Sequence, residues 1–190
     1  LGDVYKRQVY GTPAEETLGS KCDMIKKGCF HDLDVAFMMH GGPNTCTDVR
    51  CLAQRSFHVT FHGKRAHAAL APDKGRSAFD ALLAAFQGIE FLREHVPDDV
   101  RMHYTVAKLP GPANVVPAEA EGEFAIRSFS RKTLEGVCER FLDIIKGASL
   151  IAGVDYEIKE GTFFFNKIPV LKLNELLMNN AKPVSYTHLR

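Results

Sequence analysis

Residues 56–92 constrain the fold more than any other stretch of the chain. They open Ser56-Phe57-His58-Val59-Thr60-Phe61-His62, with apolar residues at 57, 59 and 61 and polar ones between. Strict alternation with a period of two describes a half-buried strand. Apolar residues then recur at 78, 81, 82, 85, 86, 89 and 92, which is one face of a helix. Between the two runs the loop Gly63-Lys64-Arg65-Ala66-His67-Ala68-Ala69-Leu70-Ala71-Pro72-Asp73-Lys74-Gly75-Arg76. A long loop carrying basic residues and a histidine, held between rigid elements, is a natural place for function. Its bland alternative is a solvated basic loop with an incidental histidine.

The same two periodicities extend the pattern. Arg101 to Lys108 alternates Met102, Tyr104 and Val106 against His103 and Thr105, a second strand. Glu119 to Phe129 is a third, with Phe124 and Ile126 on one face and Glu121, Glu123 and Arg127 on the other. Ser130 then caps a helix carrying Leu134, Val137, Cys138, Phe141 and Ile145, which ends before Gly153. Val154 to Ile158 alternates again as a fourth strand. The order strand, helix, strand, strand, helix, strand predicts an α+β, ferredoxin-like (βαββαβ) domain over 53–162. Residues 163–182 lead out of it, with a helix expected to begin near Val170.

Upstream, Lys21 to Lys27 reads as a short helix stopped by Gly28. Val9-Tyr10 reads as the end of a strand. Leu33 to Met39 is nearly continuously apolar, which predicts a parallel strand buried on both faces. Residues 9–52 are therefore expected to belong to an α/β domain. Glu15 and Glu16 follow the first of these strands and His40 follows the second. Open α/β sheets place ligands at such strand ends. The flanks 1–8 and 183–190 match nothing around them and are expected to be non-native ends.

Composition excludes several classes. A net charge of +1 gives no electrostatic case for nucleic acid or an anionic membrane surface. No apolar run reaches the ~20 residues of a membrane helix. Five cysteines, an odd number with no C-x-x-C pair, argue against a disulfide framework and for a reducing cytoplasm. There is no phosphate loop and no Gly-x-Ser-x-Gly elbow, so a serine hydrolase has no support.

Two neighbouring carboxylates can divide the work of hydrolysis, one binding a metal and the other acting as general base. A histidine can add a nitrogen ligand, which suits zinc. Taken singly, each residue has a structural alternative. A Glu-Glu pair is ordinarily solvated surface, Asn114 a turn residue, and Arg127 a partner for Glu121 or Glu123 on the same strand face.

Five motifs occur in one order: Gly11-Thr12-Pro13-Ala14-Glu15-Glu16, then His40, then Phe61-His62-Gly63-Lys64-Arg65-Ala66-His67-Ala68-Ala69, then Asn114-Val115-Val116-Pro117, then Phe124-Ala125-Ile126-Arg127-Ser128-Phe129. Together they resemble the M20 metallopeptidase and amidohydrolase family, and within it the aminobenzoyl-glutamate hydrolase-like branch. The resemblance implies an α/β catalytic domain with an inserted ferredoxin-like lid through which two copies dimerise. It implies Glu15 as general base, Glu16 and His40 as ligands of a two-metal site, and His67 as a histidine that supports the oxyanion in a partner subunit's site. It implies Asn114 and Arg127 as substrate-holding residues, the arginine on a carboxylate. The cofactor implied is a pair of zinc ions, with manganese or cobalt as alternatives. The substrate implied is an N-acyl amino acid, an aminobenzoyl-glutamate-like compound or a dipeptide.

Three departures stand against the family pattern. The glycine run after the glutamates is replaced by Thr17-Leu18-Gly19-Ser20. Gly41-Gly42 after His40 has no assigned role. The upstream histidine and aspartate ligands and the downstream histidine ligand are absent, so 1–190 is expected to be an inactive part of a hydrolase. The contrasting reading is a non-catalytic ferredoxin-like dimerisation or ligand-binding module, in which Glu15, Glu16 and His40 are bystanders.

Overall fold

The computed structural model describes residues 7–15, 19–43 and 46–184. They form two units, divided between residues 45 and 46.

The second unit contains the regular architecture. Its strands are β1 (Ala53–His62), β2 (Ala66–His67), β3 (Arg101–Lys108), β4 (Val115–Val116), β5 (Glu119–Ser128) and β6 (Asp155–Phe164). Four of them make an antiparallel sheet in the order β3-β5-β1-β6, while β2 and β4 pair as a separate two-stranded ribbon. In this numbering α1 is Ser20–Lys26 of the first unit, and α2 (Ala78–Arg93) and α3 (Arg131–Ala152) belong to the second. A last helix, α4, spans Leu171–Val184.

Both long helices lie on one face of the sheet, and alternation decides which residues meet them. Phe57, Val59 and Phe61 of β1 and Phe124 and Ile126 of β5 are buried there. They meet Ala81, Leu82, Ala85 and Ile89 of α2 and Leu134, Phe141 and Ile145 of α3 in a single apolar cluster. The Phe141 ring packs 4.9 Å from Phe57 and 5.1 Å from Phe124, joining helix to both central strands. The opposite face carries His58, Glu123, Arg127 and Arg101, all exposed.

The helix ends follow local chemistry. The Ser77 hydroxyl accepts from the Asp80 N–H at 3.1 Å and the Ser130 hydroxyl from the Thr133 N–H at 3.2 Å, each satisfying a backbone donor of the first turn. Gly153 ends α3 at φ 64°, a left-handed conformation that costs a residue with a Cβ.

Three expectations need correction. Residues 33–39 form no strand. Val35, Phe37, Met38 and Met39 are 51–91% exposed. A strand buried on both faces needs a paired neighbour to satisfy its backbone and layers to cover it, and among the described residues none pairs with it. Val9-Tyr10 is likewise outside any strand. The last strand runs on to Phe164 rather than stopping near Ile158. After a register shift opposite Arg55/Phe57, the Ser56 hydroxyl accepts from the Thr162 N–H at 2.7 Å and Gln54 pairs with Phe164, so the ladder to β1 continues.

Candidate functional site

The loop 63–76 is ordered by backbone pairing that its composition conceals. Lys64 and Arg76 exchange N–H···O bonds of 2.8 and 2.9 Å, closing the base of the loop. The Gly63 N–H donates to Ala118 O at 2.8 Å, tying that base to the start of β5. Above it, Ala66 pairs with Val116 and His67 with Val115, and the Ala68 N–H donates to Asn114 O at 3.0 Å. His67 and Asn114, 47 positions apart in sequence, are thus brought together on one ribbon.

His67 is exposed and its ring is oriented. The turn after it closes with the Ala71 N–H donating to His67 O at 3.1 Å. Inside this turn the N–H groups of Ala69 and Leu70 both donate to Nδ1, each at 3.2 Å. A ring nitrogen that accepts carries no proton, so the neutral imidazole holds its hydrogen on Nε2. That places a single N–H donor at the outer edge of the loop.

Arg127 lies elsewhere. Its ribbon-side counterpart on β5 is Glu119, which pairs with His62 at the ribbon end of the sheet, while Arg127 pairs with Gln54 at the other end. Eight strand steps of ~3.3 Å separate the two by roughly 26 Å. Arg127 is exposed, and among the described residues it makes no ion pair. Glu121, one of its candidate partners, instead faces the Lys108 ammonium at 3.5 Å. The alternation that puts Arg127 and Glu121 on one face does not bring them together.

Beside Arg127 the sheet edge is braced by Asp99. Its carboxylate accepts from the Ser128 hydroxyl and the Phe129 N–H, both at 2.7 Å. The Ser128 hydroxyl, the Phe129 amide and the nearby Arg50 guanidinium hold the Asp99 carboxyl below its ordinary range. Arg50 itself stacks 4.1 Å over the Phe129 ring.

In the first unit, Glu15 lies 3.8 Å from the Lys21 ammonium. His40 Nδ1 lies 2.6 Å from Gly41 O, so Nδ1–H donates to that carbonyl and the Nε2 lone pair is left to ligate. Glu16 falls outside the described residues. Among the described residues no group of three or more His, Cys, Asp or Glu side chains gathers to hold a metal ion. His40 fits the role of one imidazole ligand, and the described residues supply no closed ligand set. Cys138 is no alternative nucleophile, because burial pushes its thiol up to about 11.

Sequence reading missed two features. One is Arg101, which the ladder sets directly opposite Arg127; alternation placed it on the polar face but could not give its cross-strand partner. The other is a cavity of about 350 Å³ at the ribbon end, lined by His62, Lys64, Arg76, Asp155 and the end of α3. It is built from the ends of separate elements and leaves no local signature.

Residues 54–150 match the family model of the peptidase dimerisation domain. The chain is 31% identical over 175 residues to Xaa-Arg dipeptidase of Homo sapiens, covering 92% of this chain and 40% of that protein. It is 35% identical over 185 residues to one of the polypeptides of p-aminobenzoyl-glutamate hydrolase of Escherichia coli (strain K12), covering 94% of this chain and 37% of that protein. The solved aminobenzoyl-glutamate utilization protein from Klebsiella pneumoniae superposes with a TM-score of 0.58 at 25% identity, over 69% of this chain and 33% of that one. The chain therefore spans about 40% of the length of the curated relatives it matches. It belongs to the M20 peptidase and amidohydrolase family, and its residues 54–150 are that family's dimerisation domain.

Proposed function

We propose that this chain is part of a metal-dependent amidohydrolase that cleaves the amide bond of an N-acyl amino acid, an aminobenzoyl-glutamate-like compound or a dipeptide. The relatives it matches carry such activities in their names, Xaa-Arg dipeptidase and p-aminobenzoyl-glutamate hydrolase among them. In this reading residues 53–162 are a ferredoxin-like lid. The sheet order β3-β5-β1-β6 with both helices on one face supports that form. Residues 9–52 and 163–182 belong to the catalytic domain, where the apolar side chains exposed at Val35, Phe37, Met39, Ile168 and Leu176 would find cover. The cytoplasm is the compartment this reading assumes.

One observation carries the proposal furthest. His67 offers an N–H donor from a braced turn with Asn114 beside it on the ribbon, and Arg127 sits on the four-stranded sheet at the end away from that ribbon. An extended dipeptide spans only ~7 Å, which supports a reading in which these groups of one lid hold different substrates. Each lid would serve two sites, giving Arg127 to one and His67 with Asn114 to the other, as a homodimer allows.

Glu16 and His40 would hold the metal, two zinc ions in this reading, with manganese or cobalt as substitutes. When bound, the metal would polarise the scissile carbonyl and acidify the attacking water. Glu15 would take a proton from the attacking water and return it to the leaving amine. The His67 Nε2–H donates to the carbonyl oxygen as negative charge develops there, a contribution that reaches about 3–4 kcal/mol for one such donor. Asn114 orients the acyl group and Arg127 grips the substrate carboxylate through its two-pronged fork.

Substitution at Arg127 tests this in the full-length enzyme. Arg127→Lys keeps the charge and loses the fork, so KM for free-carboxylate substrates should rise roughly tenfold or more while amidated substrates are little changed. An equal loss on both would make Arg127 structural.

A further inference from the structure

The sheet sets two arginines against each other with no acid between them. Arg101 and Arg127 are directly opposite in the β3–β5 ladder, both exposed, with Gln54 on the other side of Arg127 and His103 two positions along β3 on the same face. Like charges directly opposite on a strand pair destabilise it. Carboxylates could offset this, but the ion-paired ones meet other cations: Glu119 and Glu121 with Lys108, Glu160 with Arg55, Glu90 with Arg93, Glu135 with Arg131. Glu123, on the same face of β5, stands four strand steps from Arg127, roughly 13 Å along the strand. Asp99, two residues before Arg101, is committed to Ser128 and Phe129. Arg101 is also held in place, since its Nη1 donates to the carbonyls of Asp98 and Val100. Its remaining N–H groups stay available as donors.

We propose that Arg101 is a specificity-determining residue that takes the second carboxylate of an acidic amino-acid leaving group, beside the carboxylate held by Arg127. The proposal rests on the hydrolase reading and narrows it. Neighbouring strands lie ~4.8 Å apart, so the two guanidinium groups can each grip one carboxylate of a short dicarboxylate such as a glutamyl or aspartyl residue. A neutral side chain gains nothing from Arg101, and a cationic one is repelled by it.

The test compares N-benzoyl-glutamate with N-benzoyl-glutamine in the full-length, zinc-loaded enzyme. The wild type should prefer the glutamate substrate. Arg101→Gln should lower kcat/KM for it roughly 10- to 100-fold, mainly through KM, the span expected for one hydrogen bond to a charged group. N-benzoyl-glutamine should change by less than about twofold. Arg101→Lys, which retains the charge without the fork, should fall between, and it stands in if Arg101→Gln fails to fold. Equal rates for the two substrates in the wild type, or a parallel loss on both in the variants, overturns the assignment and leaves Arg101 as a brace for the 98–100 turn. Cleavage of neither substrate by a wild type that still cleaves dipeptides overturns this inference alone, whereas loss of all metal-dependent amide cleavage overturns the hydrolase reading as well.

Discussion

Asp99 shows how much a single side chain holds at the Arg127 end of the sheet. It satisfies the buried Ser128 hydroxyl and the Phe129 amide at once. Asp99→Ala should cost about 1–3 kcal/mol, because both donors are left without their acceptor. The pH dependence has a definite sign. The folded carboxyl is held below its ordinary value of 3.8. Its contribution is therefore complete above the unfolded value and is lost as pH falls through the folded one. Urea melts of wild type and variant should differ by a constant amount at neutral pH and converge in acid. A gap that persists at low pH would mean that the carboxylate is not the stabilising form. At this scale the sequence disclosed His67 and Asn114 as a motif but not the orientation of the ring. That depends on two amides of a turn, which carry no side-chain signature.

Among the elements, periodicity was legible wherever one face is buried against a helix. Met102 is buried and Tyr104 half-buried on the helix side of β3 while Arg101 and His103 face solvent, and the strand was found at its observed limits although Val106 is exposed. The same logic misread 33–39, where an apolar run satisfies the pattern of a buried strand but no strand among the described residues pairs with it. The ribbon was invisible for the opposite reason, since two residues per strand are too few to show a period. Its base predicts a sharp intolerance. A Cβ added at Gly63 would lie 2.1 Å from Arg76 O and 2.9 Å from Ala78 N, both backbone atoms that cannot move alone. Gly63→Ala should cost about 1–3 kcal/mol, the range of an overpacked site. Amide exchange at Lys64 and Arg76 should speed up as their paired bonds open. Unchanged protection there would show that the loop base does not depend on that close approach.

For the whole molecule, the central proposal is that each lid would serve two active sites, since Arg127 lies at the end of β5 away from the ribbon that carries His67. The mixed α/β elements of residues 53–164 and the order of the motifs were readable in the sequence. The separation was not, since it follows from strand register and length rather than from residue types. The most direct measurement mixes two variants of the full-length enzyme, Glu15→Gln and His67→Ala, each nearly inactive alone, under conditions that exchange subunits. If His67 acts in the partner's site, each mixed dimer regains one site with Glu15 and His67 both intact. Random pairing makes half the dimers mixed, so about a quarter of wild-type activity should return, because each lesion is confined to one site. If His67 acts within its own chain, every site keeps one lesion. Then mixing restores nothing even when exchange is shown independently, and that result would contradict the account.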